Sequence, residues 1–361
     1  MAGRMDSVWL QFPDVLARIA SNQSELVEHI RRQLAPLVRP PAGEPHVSVA
    51  VHWREGNEPP ASWLEQVEHP DVRKIGKRLY RVGEWLVWSD VVRTKNLGLR
   101  FRLTSGQLEM ACDYRFQPSR KKLEQNPHYR SEKYFSLLKY FVYFPVLWYG
   151  ELFLSRFPLH ASGIVLPGGA VAIGGVGGVG KTTTSMALFA AHRAQFLSEN
   201  IILYDTRRFY QFYEPIRLDD HSLSLLGEEV ENILERARLP EGTREKNLFH
   251  LRPERLSKAA TARVVLLPEF APQTQVQEVP APRAVNLIHQ YNLLTRELND
   301  YYWFAAAAGL LRPERPLPEE RIAALRQLLR RVPVYRLDID RRKGIPSVME
   351  CIQQLFQEVF S

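Results

Sequence analysis

The chain is poor in cysteine. Two residues in 361, Cys112 and Cys351, lie far apart with no C-x-x-C or Cys/His spacing, which excludes a disulfide framework and a structural zinc site and points to a reducing, cytoplasmic setting. The N-terminal "MAGRMDSVWLQFPDVL" has no basic start, apolar core and small-residue cleavage site, so a secretory signal is not expected. Long apolar runs are scarce too. In "YFVYFPVLWYGELFLSRF" (Tyr140–Phe157) the uncharged stretch ends at Glu151 after about eleven residues, short of the ~20 that span a bilayer; a buried or amphipathic helix is expected, with no transmembrane segment. No fixed-period repeat is present. Helix-turn-helix, RNA-binding and zinc-finger signatures are all missing. The net charge of +8, with clusters such as Arg120-Lys121-Lys122 and Arg341-Arg342-Lys343, is therefore read as solvated basic faces, with no nucleic acid among the expected partners.

With 45% hydrophobic and 24% charged residues, the chain has an ordinary globular composition and room for two domains. Pro13–Leu37 carries a helical apolar pattern, and "PHVSVAVHW" gives a strand over His46–Trp53. "LGLRFRLT" and "QLEMACDYRF", joined by Ser105-Gly106, predict a hairpin. Residues 1–130 are thus expected to form an N-terminal α+β domain, ending in the polar "SRKKLEQNPHYR" before a long apolar helix from about Ser131 to Arg156. Residues 131–361 are expected to form a second, α/β domain. In it Leu197–Tyr204 reads as one strand, Leu223–Arg238 as a helix, "ARVVLLPEF" and "PVYRLDID" as strands, and the C-terminal segments as helices.

The strongest motif lies mid-chain. Gly175, Val176, Gly177, Gly178, Val179, Gly180, Lys181 and Thr182 fit G-x-x-x-x-G-K-[ST]. Val171-Ala172-Ile173 before it reads as a buried strand, and Thr183 to His192 after it as a helix. Such a strand, loop and helix form a P-loop: glycine backbone N–H groups turn toward the α- and β-phosphates, Lys181 reaches the β/γ oxygens, and the Thr182 hydroxyl can ligate Mg²⁺. The helix N-terminus adds partial positive charge. Thr183 joins the same anion site, and ATP with Mg²⁺ is the expected ligand pair.

Several nucleotide-binding classes write GGVGKTT. The ParA-type ATPases carry an extra lysine where this chain has Val176, and place the loop near the N-terminus. With the flanks included, the ordered blocks "LHASGIVL", "GGVGGVGKTTTSMAL", "FLSENIILYD", "YEPIRLDD" and "VPVYRLDID" resemble the C-terminal domain of HPr kinase/phosphorylase and, more closely, its HPr-kinase-like relatives, over about Pro158 to Asp340. The resemblance implies an α/β fold whose P-loop core has a mixed sheet of the HPr kinase/PEP carboxykinase-like type, with an extra N-terminal α+β domain. It implies transfer of the γ-phosphoryl group of ATP to a serine of a protein or peptide. By resemblance Glu199 is the base for the acceptor hydroxyl, His160 contacts the phosphate or the substrate hydroxyl, and Arg217 of Pro215-Ile216-Arg217-Leu218 steadies phosphate charge. Thr182, Glu199 and Asn200 fall at the metal. The family's second acid is here Asn200, which offers a carbonyl oxygen but no charge. The family's phosphorylase signature is not recognisable, and the reverse activity is not carried over.

Asp205, closing the apolar run Ile201–Tyr204, is an alternative metal partner to Glu199, and Arg244 or Lys246 could add a second cation across the site. A non-catalytic ATP-binding module that recognises a peptide or partner is the alternative reading, and Asn200 is the residue that favours it. A homo-oligomer stays open.

Overall fold

A computed structural model describes residues 5–56, 58–68, 72–192, 194–237 and 247–360. These fold as two compact units of mixed α/β structure. The first reaches to Leu154 and takes back a later piece, Phe304–Arg315; the second holds Ser155–Ala237, residues 247–303 and residues 316–360.

The first unit is built on a nine-stranded sheet. Its strands are β1 (Asp6–Phe12), β2 (Val15–Ser21), β3 (Val38–Arg39), β4 (Val47–Glu55), β5 (Arg73–Gly76), β6 (Leu79–Val82), β7 (Trp85–Trp88), β8 (Leu97–Thr104) and β9 (Gln107–Phe116), in the order β3-β1-β2-β4-β9-β8-β7-β6-β5. Alternation writes β4 directly: Val47, Val49, Val51 and Trp53 are buried while Ser48, Ala50 and His52 are partly exposed. The β8–β9 hairpin turns through Ser105 and Gly106, both at positive φ (50° and 82°), as a two-residue primed turn demands.

The helical pattern over Pro13–Leu37 is corrected by the structure. Asp14 takes the left-handed conformation (φ 59°) and closes the β1–β2 hairpin; only Ser24–Gln33 is α-helical. Val15, Leu16, Ile19 and Ala20 fit a helical stripe by spacing, but they lie in a strand buried on both faces except at Arg18, so period two leaves too little polar trace in the sequence to be read.

The apolar helix begins at Tyr129 and runs to Leu154, with a π turn at Lys139–Tyr143. Pro145, just beyond that turn, has no N–H and would clash in a regular helix, and the wider turn relieves the clash. This run is long and apolar enough to cross a membrane, yet 83% of its most apolar window is buried inside the protein. It packs on β2, β4 and β9. The units therefore part between Leu154 and Ser155 rather than near Ser131: the polar stretch that marked the boundary by composition is followed by the helix that covers the first sheet.

In the second unit the large sheet contains β10 (Phe157–Leu166), β11 (Gly169–Gly174), β12 (Gln195–Ser198), β13 (Ile201–Tyr204), β14 (Arg208–Tyr210), β18 (Ala259–Phe270), β19 (Gln275–Glu278) and β20 (Val334–Ile339). A small sheet is formed by β15 (Ile216–Leu218), β16 (Glu235–Arg236) and β17 (Asn247–His250). Strands β11, β18 and β20 run parallel side by side. The pairings β11-β10-β13-β14-β18 return through β18 to β11, so five strands form a closed hydrogen-bonded circuit. Successive residues feed opposite faces: Ala170 and Ala172 face the core under helices Ala281–Leu294 and Leu317–Leu329, while Val171 and Ile173 face the core under Lys181–Ala191 and Gly344–Val359. The expected helix Leu223–Arg238 is instead two short helices, Asp220–Leu226 and Glu228–Glu231, followed by β16, because Gly227 (φ 74°) ends the first.

A fragment that starts at Ser131 would carry the helix to Leu154 without the strands it covers. Trp148, Phe141 and Phe144 are at most 2% exposed in the intact chain, and uncovering each costs about 2–3 kcal/mol. The fragment is expected to aggregate or bind a hydrophobic dye under conditions in which the whole chain does neither; a monodisperse fragment with no dye binding would contradict this packing.

Candidate functional site

The glycine-rich segment lies between the end of β11 and the helix Lys181–Ala191. Gly175 (φ 125°) and Gly180 (φ 86°) take conformations closed to side chains with a Cβ. Gly180 caps the helix, whose first-turn N–H groups have no partner within the helix. Gly178, Val179, Gly180, Lys181, Thr182 and Thr183 border a cavity of about 660 Å³. Four cationic side chains, Lys181, Arg217, Arg341 and Arg342, share its lining with one carboxylate, Asp219. Asp219 Oδ1 accepts from the Ser222 N–H and caps the helix Asp220–Leu226. Cationic side chains therefore outnumber carboxylates in the lining.

The expected strand Leu197–Tyr204 is broken at Glu199-Asn200 into β12 and β13. The Ser162 hydroxyl of β10 donates to the Glu199 carbonyl, and a register shift at Gly163/Ile164 accommodates the break. Both side chains are buried, at 6% exposure, and each finds partners outside the ladder. Glu199 Oε1 accepts from the Thr182 hydroxyl at 2.7 Å, and Arg217, carried by β15 of the small sheet, reaches Oε2 at 3.4 Å. Lys181 Nζ donates to the Val176 carbonyl at 2.8 Å.

His160, on β10, is enclosed behind the loop. Its Nδ1 lies 2.9 Å from the Gly175 carbonyl and its Nε2 3.0 Å from Asn200 Oδ1, while Asn200 Nδ2 donates to Glu214 Oε2 at 3.2 Å. Two facing carbonyls favour a protonated ring. Burial, and after it the Lys181 ammonium, outweigh them and bring the imidazole pKa down to about 4. Loss of hydration, reinforced by Glu199 and opposed by Arg217, pushes the Glu214 carboxyl up to about 7.

Thus Thr182, Glu199 and Arg217 meet in one cluster, and His160 and Asn200 in a second that shares the Glu199-Asn200 break. Asp205 is elsewhere. It follows β13, accepts from the Arg207 and Arg208 N–H groups and from Tyr210 Oη, and so holds the β13–β14 turn. Arg244 and Lys246 lie outside the described residues. Sequence reasoning missed Glu214, masked as the residue before Pro215, and the cavity wall of Leu225, Phe270, Ile339 and Arg341. The readable signal for that wall was "DIDRRKG", a basic cluster directly after a strand.

The donor set admits a small hard cation. Thr182 borders the cavity, and Glu199 Oε1 lies 2.7 Å from its Oγ1. Among the described residues no group of three His, Cys, Asp or Glu side chains gathers as a metal cage. Two oxygens with water and phosphate completing the shell is the habit of Mg²⁺. No protein-family model matches this chain, and no curated protein matches it.

His160→Ala would leave the Asn200 amide and the Gly175 carbonyl short of a partner and open a void. It is expected to lower unfolding stability by about 2–3 kcal/mol, measured by urea titration without ligand. A change within error would show that the imidazole does not brace the loop.

Proposed function

We propose that the chain binds Mg-ATP at the glycine-rich loop and transfers its γ-phosphoryl group to a serine hydroxyl of a protein or peptide. One observation carries the reading: a G-x-x-x-x-G-K-T loop between a parallel strand and a helix borders a cavity large enough for a nucleotide and lined by four cations. The block order resembling HPr-kinase-like proteins, with their P-loop core and mixed sheet, supports the same class.

In this reading the loop amides and the helix N-terminus hold the phosphates. Lys181, which has three donors, adds a phosphate oxygen to the Val176 carbonyl it already meets. Arg217, on the cavity wall, brings a guanidinium charge to the transferring group. Thr182 and Glu199 would hold Mg²⁺, which supplies charge neutralisation at the phosphates. The serine oxygen forms a bond to the γ-phosphorus as the bond to the β,γ-bridging oxygen breaks. ADP leaves, and the serine proton passes to a carboxylate, with Glu199 in that role.

A second reading, an ATP-binding module without transfer, is favoured by the engagement of both Glu199 oxygens with Thr182 and Arg217 and by the position of Asn200 between His160 and Glu214.

Lys181→Ala is expected to abolish the rise in melting temperature that Mg-ATP produces, since a ligand bound only by the folded state stabilises it by mass action. An unchanged rise would remove the site. Glu199→Gln keeps the shape and removes the charge and basicity; transfer of labelled γ-phosphate to candidate serine acceptors at saturating Mg-ATP should fall by roughly 10²- to 10⁴-fold, beyond any loss of nucleotide affinity. Equal transfer by both proteins would remove Glu199 as base. Absence of transfer by a wild-type chain that binds ATP would leave the module reading.

A further inference from the structure

The cavity extends beyond the residues a triphosphate requires. Strands β11, β18 and β20 are parallel neighbours, and their carboxyl ends carry the glycine loop, Phe270 and Ile339. All three ends border the same cavity. Two strand spacings, about 10 Å, separate the first end from the last.

The β18–β20 end has a different chemistry from the loop end. Phe270 is 49% exposed and Leu225, from the helix Asp220–Leu226, is 48% exposed, although both line a concavity. The Arg341 guanidinium lies over the Phe270 ring at 5.0 Å. The other cations of the lining are engaged: Lys181 with the Val176 carbonyl, Arg217 with Glu199 and Arg342 with Asp340. Arg341 has no polar partner among the described residues. A half-exposed phenyl ring, a leucine and a guanidinium plane together offer flat, apolar and cationic surface, the chemistry that holds an aromatic ring by stacking.

We infer that this end of the cavity is a nucleobase pocket in which Phe270, Arg341 and Leu225 contact the base, so that the ligand of the site is a nucleoside triphosphate recognised at both ends. The inference rests on the nucleotide reading of the loop and adds to it the residues that distinguish a nucleotide from a bare polyphosphate.

The test uses the full chain and two probes by calorimetry, Mg-ATP and Mg-tripolyphosphate, which has the phosphates without the base. Phe270→Ala and Arg341→Ala both alter exposed side chains, and their melting temperatures without ligand serve as the folding control. Wild type should bind Mg-ATP more tightly than tripolyphosphate. Each substitution should weaken ATP by about tenfold while moving tripolyphosphate by less than about twofold. Equal weakening of both probes would place phosphate, not base, against Arg341 and overturn the inference, as would unchanged ATP affinity in both variants or equal wild-type affinity for the two probes. Lys181→Ala separates the two levels. Loss of both probes there with no selective effect of Phe270→Ala or Arg341→Ala sinks the base pocket alone, whereas a wild type that binds neither probe sinks the nucleotide reading and the pocket with it.

Discussion

The Glu199 carboxylate, buried and shared between Thr182 and Arg217, is the contact on which the arrangement of the second unit's site depends. It joins three pieces of chain that are distant in sequence: the helix after the glycine loop, the break between β12 and β13, and the small sheet through β15. A carboxylate taken out of water has to be neutralised or hydrogen-bonded on both oxygens. Thr182 and Arg217 meet that requirement, and in doing so they fix the first turn of the helix and the side of the cavity that Arg217 lines.

The second cluster does comparable work from behind. His160 stands between the Gly175 carbonyl and Asn200, and Asn200 between His160 and Glu214. The first glycine of the loop is thereby tied to the segment just before β15 without any side chain entering the cavity. The sheet supplies the rigidity, since β11 and β18 are buried on both faces and their alternate residues fill two separate cores.

Much of this was legible in the letters. Val171-Ala172-Ile173 reads as a strand because it is apolar throughout, and the glycine spacing marks where it ends; "ARVVLLPEF" and the Ser105-Gly106 hairpin are readable for similar reasons. The break at Glu199-Asn200 was not. A carboxylate and an amide inside an apolar run look like one strand with polar ends until their partners, Thr182 and Glu214 among them, are brought in from elsewhere. The β1–β2 hairpin was hidden because a strand buried on both faces loses its alternation. Composition put the domain boundary at a polar stretch, whereas burial of Trp148 and its neighbours against the first sheet puts it after Leu154. Of the cavity wall only the basic cluster after β20 left a trace in the letters: Leu225, Phe270 and Arg341 become neighbours through tertiary packing, which no local pattern encodes.

The piece Phe304–Arg315 belongs to the first unit although most of the second precedes it in the chain. Phe304 is 1% exposed, its ring 5.9 Å from Phe101 and 5.7 Å from Phe144, and Arg81 and Arg315 donate across the same region to the Leu310 and Leu152 carbonyls. Domains generally close in the order in which they leave the ribosome. Here the last aromatic of the first unit's core follows β10 through β19 in the chain, so the packing of Phe101 and Phe144 on Phe304 cannot form until residue 304 has been made. The contacts of the first unit therefore join segments between which most of the second unit lies in the chain.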